Sequence, residues 1–281
     1  MQIDDAMLKG IQKCELEILR AFIDVCDRLG LMYYLVEGTL LGAVRHHGFI
    51  PWDDDIDVAM PRTDYMRFLN EAQHYFPDYY FVQSVDSDPE YHSNIAKVRD
   101  SRTTFIELGI KDRAINHGIY IDVFPIDYVP KQKWRRHLTE IQAGIRWIRI
   151  VEEFHLPSKQ RNWKKRLLGR VIFPYAKLRW PKICDAVRSR DRLFSSCKSS
   201  DLMLNYLSMW RKRGVMPSVW YGDGVFLQFE GLIVRVPAQY DQWLSQVYGN
   251  YMELPPVEMR YCRHAGIVDL DRSFTEYTKK M

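Results

Sequence analysis

Apolar side chains at Leu8, Ile11, Leu16, Leu19, Phe22, Ile23 and Cys26 recur at close to helical spacing and stop before Gly30. That pattern predicts one long amphipathic helix over residues 5–29, closed by glycine. LMYYLVEG (31–38) reads as a buried strand, and TLLGAVRHHG (39–48) as a short helix with Thr39 as N-cap. DIDVAM (55–60) alternates polar and apolar residues as a half-buried strand does, and a helix follows from Arg62 to Tyr75, stopped by Pro77. YYFVQSV (79–85), SNIAKVRD (93–100) and HGIYIDVFPID (117–127) are further strands. Helical spacing then dominates from 131 to about 195, with breaks predicted near Pro157, Pro174 and Pro181. FLQFEGLIVRVP (226–237) has the form of a hairpin turning at Glu230-Gly231, and AQYDQWLSQVYG (238–249) that of a last helix. The order predicts an α/β (α+β) catalytic core in residues 1–130. A basic, aromatic-rich helical insertion or cap follows in 131–220, and a hairpin and helix in 221–281 complete the core.

The chain has 281 residues, 47% hydrophobic, 27% charged and 14% aromatic. Those proportions exclude a disordered chain. No apolar run reaches the roughly 20 residues of a membrane-spanning helix. The opening MQIDDAMLKG has no apolar signal core, and Cys14, Cys26, Cys184, Cys197 and Cys262 are scattered. A cytoplasmic, reducing setting is expected, with neither a disulfide framework nor a zinc site. The net charge of +4 hides an asymmetry: residues 131–192 hold 18 Lys and Arg against 5 Asp and Glu, and the remainder is net acidic. Trp134, Trp147, Trp163, Phe173, Tyr175 and Trp180 are interleaved with those cations. Such a segment suits an anionic membrane surface, RNA or a polyanionic substrate, or is simply a solvated helical face. WKKRLLGRVIFPYAKLRW (163–180) sets cations beside Trp and Leu, which favours peripheral contact at a membrane's inner face; no nucleic-acid partner is expected.

Candidate chemistry lies in Asp53, Asp54, Asp55 and Asp57. On a strand, Asp55 and Asp57 project from one side, about 7 Å apart, and repel unless a cation lies between them. Paired hard oxygens suit Mg2+ or Mn2+, with substrate phosphates completing the coordination; the competing reading is an exposed acidic turn. Upstream, Gly38-Thr39 at a helix start is built to hold a phosphate. Downstream, Asp122 lies between Ile121 and Val123, which is costly unless it meets a cation or an open cleft. A phosphate-binding turn beside three strand carboxylates is the equipment of metal-assisted phosphoryl or nucleotidyl transfer.

EGTLLGAVRHHGFIPWDDDIDVAMPRTDY (37–65) closely resembles the signature of the LicD family, which is similar to the fukutin group within the nucleotidyltransferase-fold superfamily. AKVRDSRTTF (96–105), GIYIDVFPID (118–127) and VPAQYDQWLSQVYGNYMELPP (236–256) resemble the same family in the same order, and 131–220 is the poorest stretch. The resemblance implies a nucleotidyltransferase-like mixed sheet flanked by helices, with Gly38 and Thr39 on donor phosphates. It also implies Asp55, Asp57 and Asp122 as catalytic metal ligands. The implied activity moves phosphocholine, or a related phospho-alcohol, from a CDP-alcohol to a cell-surface glycan: lipopolysaccharide, a teichoic-acid precursor or a lipid-linked oligosaccharide. The alternatives are a nucleotidyltransferase that releases pyrophosphate from an NTP, and a nucleotide- or glycan-binding protein without turnover.

Several residues support that reading. Arg45 is placed for the donor pyrophosphate, or is an exposed helix arginine. Lys97 and Arg99 share a strand face as a diphosphate clamp, or pair with the acidic cluster. Trp52 stacks on cytosine or wedges its loop. A choline cage has aromatic candidates in Tyr120, Phe124, Tyr248 and Tyr251. His46, His47, His92, His117 and His264 show no metal-ligand spacing, and no cysteine lies beside the motif residues in sequence.

Overall fold

The computed structural model describes residues 4–154, 163–262 and 266–278. Helix α1 (Asp5–Leu29) starts where the Asp4 carboxylate accepts from the Met7 N–H, and it ends at Gly30, whose φ of 61° returns its N–H to the last carbonyls. Next come β1 (Tyr34–Leu35), α2 (Glu37–Arg45), β2 (Asp57–Pro61), α3 (Arg62–Glu71), β3 (Tyr80–Gln83), β4 (Ala96–Asp100), β5 (Thr104–Glu107) and β6 (Ile119–Tyr128). The chain continues through α4 (Lys133–Phe154), α5 (Trp163–Arg179), α6 (Ile183–Phe194), β7 (Leu202–Leu204) and β8 (Met216–Pro217). It closes with β9 (Val225–Phe229), β10 (Leu232–Val236), α7 (Tyr240–Tyr248), β11 (Gly266–Asp269) and the short α8 (Thr275–Thr278).

The fold is a mixed sheet flanked by helices. Its strand order is β1-β2-β6-β4-β3, and β7 and β8 continue from the far half of β6. β6 is the axis: β2 runs parallel to it on one side and β4 antiparallel on the other. Such a central strand is covered on both faces, and Ile119, Ile121, Val123 and Ile126 are accordingly buried. α1 lies across β4 and β6, and α3 against β2 and β6. Phe22 of α1 meets Phe68 of α3 at 5.3 Å between ring centroids, which seals the two helices into one core. The β9–β10 hairpin turns at Glu230 and Gly231, both with positive φ, and feeds Phe229, Val234 and Val236 into the same core.

Four features depart from the pattern. β1 is only two residues long, because the chain turns at Glu37 with φ 51°. α2 starts at Glu37 rather than after Thr39, so Thr39 is no N-cap; its hydroxyl instead accepts from the Asp57 N–H at 2.8 Å. Pro174 sits inside α5 without ending it. The segment expected as wholly helical also supplies β7 and β8 to the sheet. The break expected at Pro157 lies outside the described residues.

Two arginines tie the helical segment down. Arg62 grips Asp127 at the end of β6 with two bonds of 2.7 Å and reaches Asp191 of α6 at 2.9 Å. Arg149 of α4 donates to the Trp180 and Pro181 carbonyls, holding the turn between α5 and α6.

Gly118 opens β6 where a Cβ would come within 2.1 Å of the Asp100 carbonyl oxygen. That neighbour is backbone and cannot swing away, so Gly118→Ala should destabilise the fold by about 1–3 kcal/mol. At Gly144 in α4 a Cβ meets nothing within 4 Å, and Gly144→Ala should stabilise by about 1 kcal/mol. Urea midpoints of the two variants check this; equal shifts would contradict the packing at Gly118.

Candidate active site

Register places the site. Asp57 of β2 is the direct partner of Asp122 on β6, Asp122 is that of Lys97 on β4, and Lys97 is that of Gln83 on β3. One row across four strands thus reads Asp, Asp, Lys, Gln, with neighbouring backbones about 4.8 Å apart. Side chains in such a row share a face of the sheet. Lys97 Nζ donates to Asp122 Oδ1 at 2.7 Å and lies 3.2 Å from the centroid of the Tyr120 ring. The cost expected for a carboxylate between Ile121 and Val123 is offset by that cation.

Asp57 has no such partner. Burial pushes its carboxyl well above the usual range, and the charges of Asp55, Asp122, Glu37 and Asp53 push the same way. Asp55 precedes β2 rather than lying in it, so the two do not alternate along one strand as expected. They nonetheless share a site, since Asp55 is the charge that acts most strongly on Asp57. Gln12 of α1 fixes the acidic loop by donating to the Asp53 carbonyl at 2.8 Å.

Two carboxylates join from elements the sequence reading left aside. Glu15 lies among Ile11, Ile18, Leu19 and Phe22 on the buried face of α1. Burial raises its pKa far above the ordinary value, and Asp55, Asp54, Asp53 and Asp122 raise it further. Glu37 is buried at the strained start of α2; burial lifts it to about 7, Asp55 adds to this, and a Ser208 hydrogen bond opposes it. Glu15 Oε2 and Glu37 Oε2 are buried without a hydrogen-bond partner. The signal for Glu15 was present, a carboxylate in step with an apolar stripe; Glu37 gave none, because only the fold buries it.

Orphaned acceptor oxygens beside repelling carboxylates fit a hard divalent cation by donor chemistry. Among the described residues no three acidic, histidine or cysteine side chains are already gathered into a metal cage. At α2 the first helical bond runs from the Leu40 N–H to the Val36 carbonyl, so the amides of Glu37, Gly38 and Thr39 precede the ladder. A Cβ on Gly38 would come within 2.6 Å of Asp53 Oδ2, so an anionic oxygen already occupies the space this glycine leaves.

The remaining expected residues fall into two groups. Lys97 and Arg99 do share a face, and both cations meet the Tyr120 ring. They do not form an open clamp. Lys97 is bound to Asp122, and Arg99 is 0% exposed, donating to Gln83 Oε1 and the Gly118 carbonyl at 2.6 Å each. Arg45 is neither exposed nor free: it donates to the Tyr251 and Glu253 carbonyls and so fastens the C-terminal segment over α2. Trp52 stands between the His46 ring and the Arg260 guanidinium, as a half-buried wedge. Of the aromatics, burial raises the phenols of both Tyr248 and Tyr120 well above the ordinary value. Nearby acids add to this, Glu37, Asp57 and Asp53 for Tyr248 and Glu107, Asp122 and Asp55 for Tyr120, which packs against Lys97 and bonds to Glu107. Cys262 is distant in sequence but donates to Asp54 Oδ2 at 3.0 Å. His264 lies outside the described residues.

A carboxyl whose folded pKa exceeds its unfolded value binds more protons when folded, so stability is full below the unfolded value and falls as pH rises to the folded one. For Glu37 that window runs from 4.5 to about 7. In chelator-treated protein the urea midpoint should fall across it, and Glu37→Gln should flatten the fall. A midpoint that rises across the window in both proteins would contradict the burial of these acids.

Comparison with known proteins identifies the family. Residues 30–169 match the family described as LicD/FKTN/FKRP, nucleotidyltransferase domain. The chain is 30% identical over 261 residues to the lipopolysaccharide cholinephosphotransferase LicD of Haemophilus influenzae, covering 89% of this chain and 92% of that protein. It is 43% identical over 48 residues to the human ribitol 5-phosphate transferase FKRP, covering 17% of this chain and 10% of that protein. A nearly full-length relative, together with a family match spanning the acidic loop, Lys97 and Asp122, leaves one conclusion: this chain belongs to the LicD family.

Proposed function

We propose that the protein transfers a phospho-alcohol, phosphocholine foremost, from a CDP-alcohol to a sugar hydroxyl of a cell-surface glycan or lipid-linked oligosaccharide. The observation that carries this reading is the direct pairing of Asp57 with Asp122 on adjacent parallel strands. Family membership supports the transferase class. The names of two relatives, a cholinephosphotransferase and a ribitol 5-phosphate transferase, support a phospho-alcohol as the group moved.

In this reading the donor diphosphate displaces Asp53 Oδ2 from the start of α2 and takes the amides of Gly38 and Thr39. Thr39 also fixes Asp57, because its hydroxyl takes the Asp57 N–H. Asp55, Asp57 and Asp122 would hold Mg2+ or Mn2+, which when bound neutralises charge on the diphosphate and the departing CMP. Lys97 holds one oxygen of Asp122; with the other, Asp122 completes the metal site or instead serves as the base that accepts the proton of the attacking hydroxyl. The new bond joins the sugar oxygen to the phosphorus that carries the alcohol, and the bond from that phosphorus to CMP breaks. Arg99 has no solvent-facing atom, so its part is to hold Tyr120 and Gln83 beneath Lys97.

Asp57→Asn and Asp122→Asn test the assignment. Both should lower turnover by more than about 100-fold, since even outer-shell changes at metal sites cost 10–100-fold. Without metal, Asp57→Asn should be at least as stable as the parent, because it removes a buried repelling charge. Turnover near the parental rate in Asp57→Asn would remove Asp57 from the machinery.

The donor is tested by incubating the protein with Mg2+, a sugar acceptor and either a CDP-alcohol or an NTP. CMP release that depends on the acceptor is the expected result. Pyrophosphate from the NTP would instead establish nucleotidyl transfer, and binding without turnover of any donor would establish a binding protein.

A further inference from the structure

Outside the acidic site the least explained surface is on α4 and α5. Trp134, Leu138 and Ile141 recur at steps of four and three residues along α4, and all three are exposed, Trp134 at 64%. They lie on the side opposite Ala143 and Ile150, which α4 buries. α5 repeats the arrangement: Leu167, Val171, Tyr175 and Leu178 form one exposed stripe, with Val171 at 68% and Leu178 at 82%, while Ala176 is buried on the other side. The two helices pack against each other. Each thus uses one apolar face for folding and holds a second in water.

Exposed cations accompany both stripes: Lys133 and Arg135 on α4, and Arg170, Lys177 and Arg179 on α5. Residues 131–192 carry 18 Lys and Arg against 5 Asp and Glu, although the rest of the chain is net acidic. No described helix is long and apolar enough to cross a membrane. An exposed apolar stripe bordered by long cationic side chains is the signature of a helix lying in a bilayer interface, where the stems of Lys and Arg reach back to headgroup phosphates. RNA would use the cations but leave Leu138, Val171 and Leu178 wet. A second copy of the chain would bring the same positive charge against itself.

We propose that α4 and α5 form a docking face for an anionic lipid bilayer, with Trp134, Leu138, Val171 and Leu178 entering the headgroup boundary and the flanking Lys and Arg on lipid phosphates. The attraction of several such cations to an anionic surface adds up, so the preference for that surface should be steep and salt-sensitive.

Vesicle flotation tests it, using phosphatidylcholine alone and phosphatidylcholine mixed with phosphatidylglycerol. The full chain should float with the anionic vesicles at least about tenfold better than with the neutral ones, and high salt should reduce the difference. Val171→Glu with Leu178→Glu should abolish flotation with an unchanged melting curve, since both residues are in solvent in the free protein. Replacing Trp134 by Phe should remove a blue shift of tryptophan fluorescence seen on adding anionic vesicles. Equal partitioning between the two vesicle types would overturn the proposal, as would a double variant that floats like the parent. So would a failure to float combined with a parental dimer that the same substitutions split, which would make the face a contact between copies.

Discussion

Carboxylates that share a desolvated volume repel one another, and the protein spends much of its architecture holding a group of them in place. The parallel register of β2 and β6 sets Asp57 beside Asp122. α1 brings Glu15 up beneath the acidic loop, and the left-handed turn at Glu37 starts α2 against Asp55. Lys97, from the antiparallel neighbour of β6, neutralises Asp122 alone. Asp57 has no cation partner of its own among the described residues, and folding tolerates its burial by protonation or by capturing a divalent ion.

The sheet topology follows from the same need. A parallel pair at the centre requires a long crossover between β2 and β6, and the chain uses it to lay down α3, β3, β4 and β5. β4 then returns antiparallel on the free side of β6, which puts Lys97 in the acidic row and Arg99 behind it. The C-terminal segment closes the site from the other end through carbonyls held by Arg45, through Cys262 on Asp54 and through Arg260 on Trp52. Those contacts lie more than 200 residues from their partners in sequence, so this edge of the site forms only when both ends of the chain are in place.

Much of this was legible in the sequence. Period-3.6 spacing gave α1 almost to the residue, Gly30 marked its end, and the Glu230-Gly231 turn located the hairpin. Asp57 and Asp122 were recognisable as one strand carboxylate in an acidic cluster and another in an apolar run. Short pairings were not legible: β7, β8 and β11 are two to four residues long and exist only because β6, β7 and β5, respectively, present edges to them. Nor was the use of each cation. Spacing put Lys97 and Arg99 on one face, but register set Asp122 opposite Lys97 and Tyr120 opposite Arg99, whose guanidinium is then sealed against the Gln83 side chain and the Gly118 carbonyl. Thr39 misled for a related reason, since a hydroxyl suited to capping was taken by a strand amide instead.

In the proposed function, Asp57 of β2, Asp122 of β6 and Asp55 of the loop before β2 bind a divalent cation together with a diphosphate. Mn2+ titration of the chelator-treated protein, followed by electron paramagnetic resonance with and without CDP, tests it most directly. The account calls for saturable binding that CDP strengthens, that releases protons, and that Asp57→Asn abolishes. Binding of equal strength in Asp57→Asn, or no saturable binding with CDP present, would contradict it.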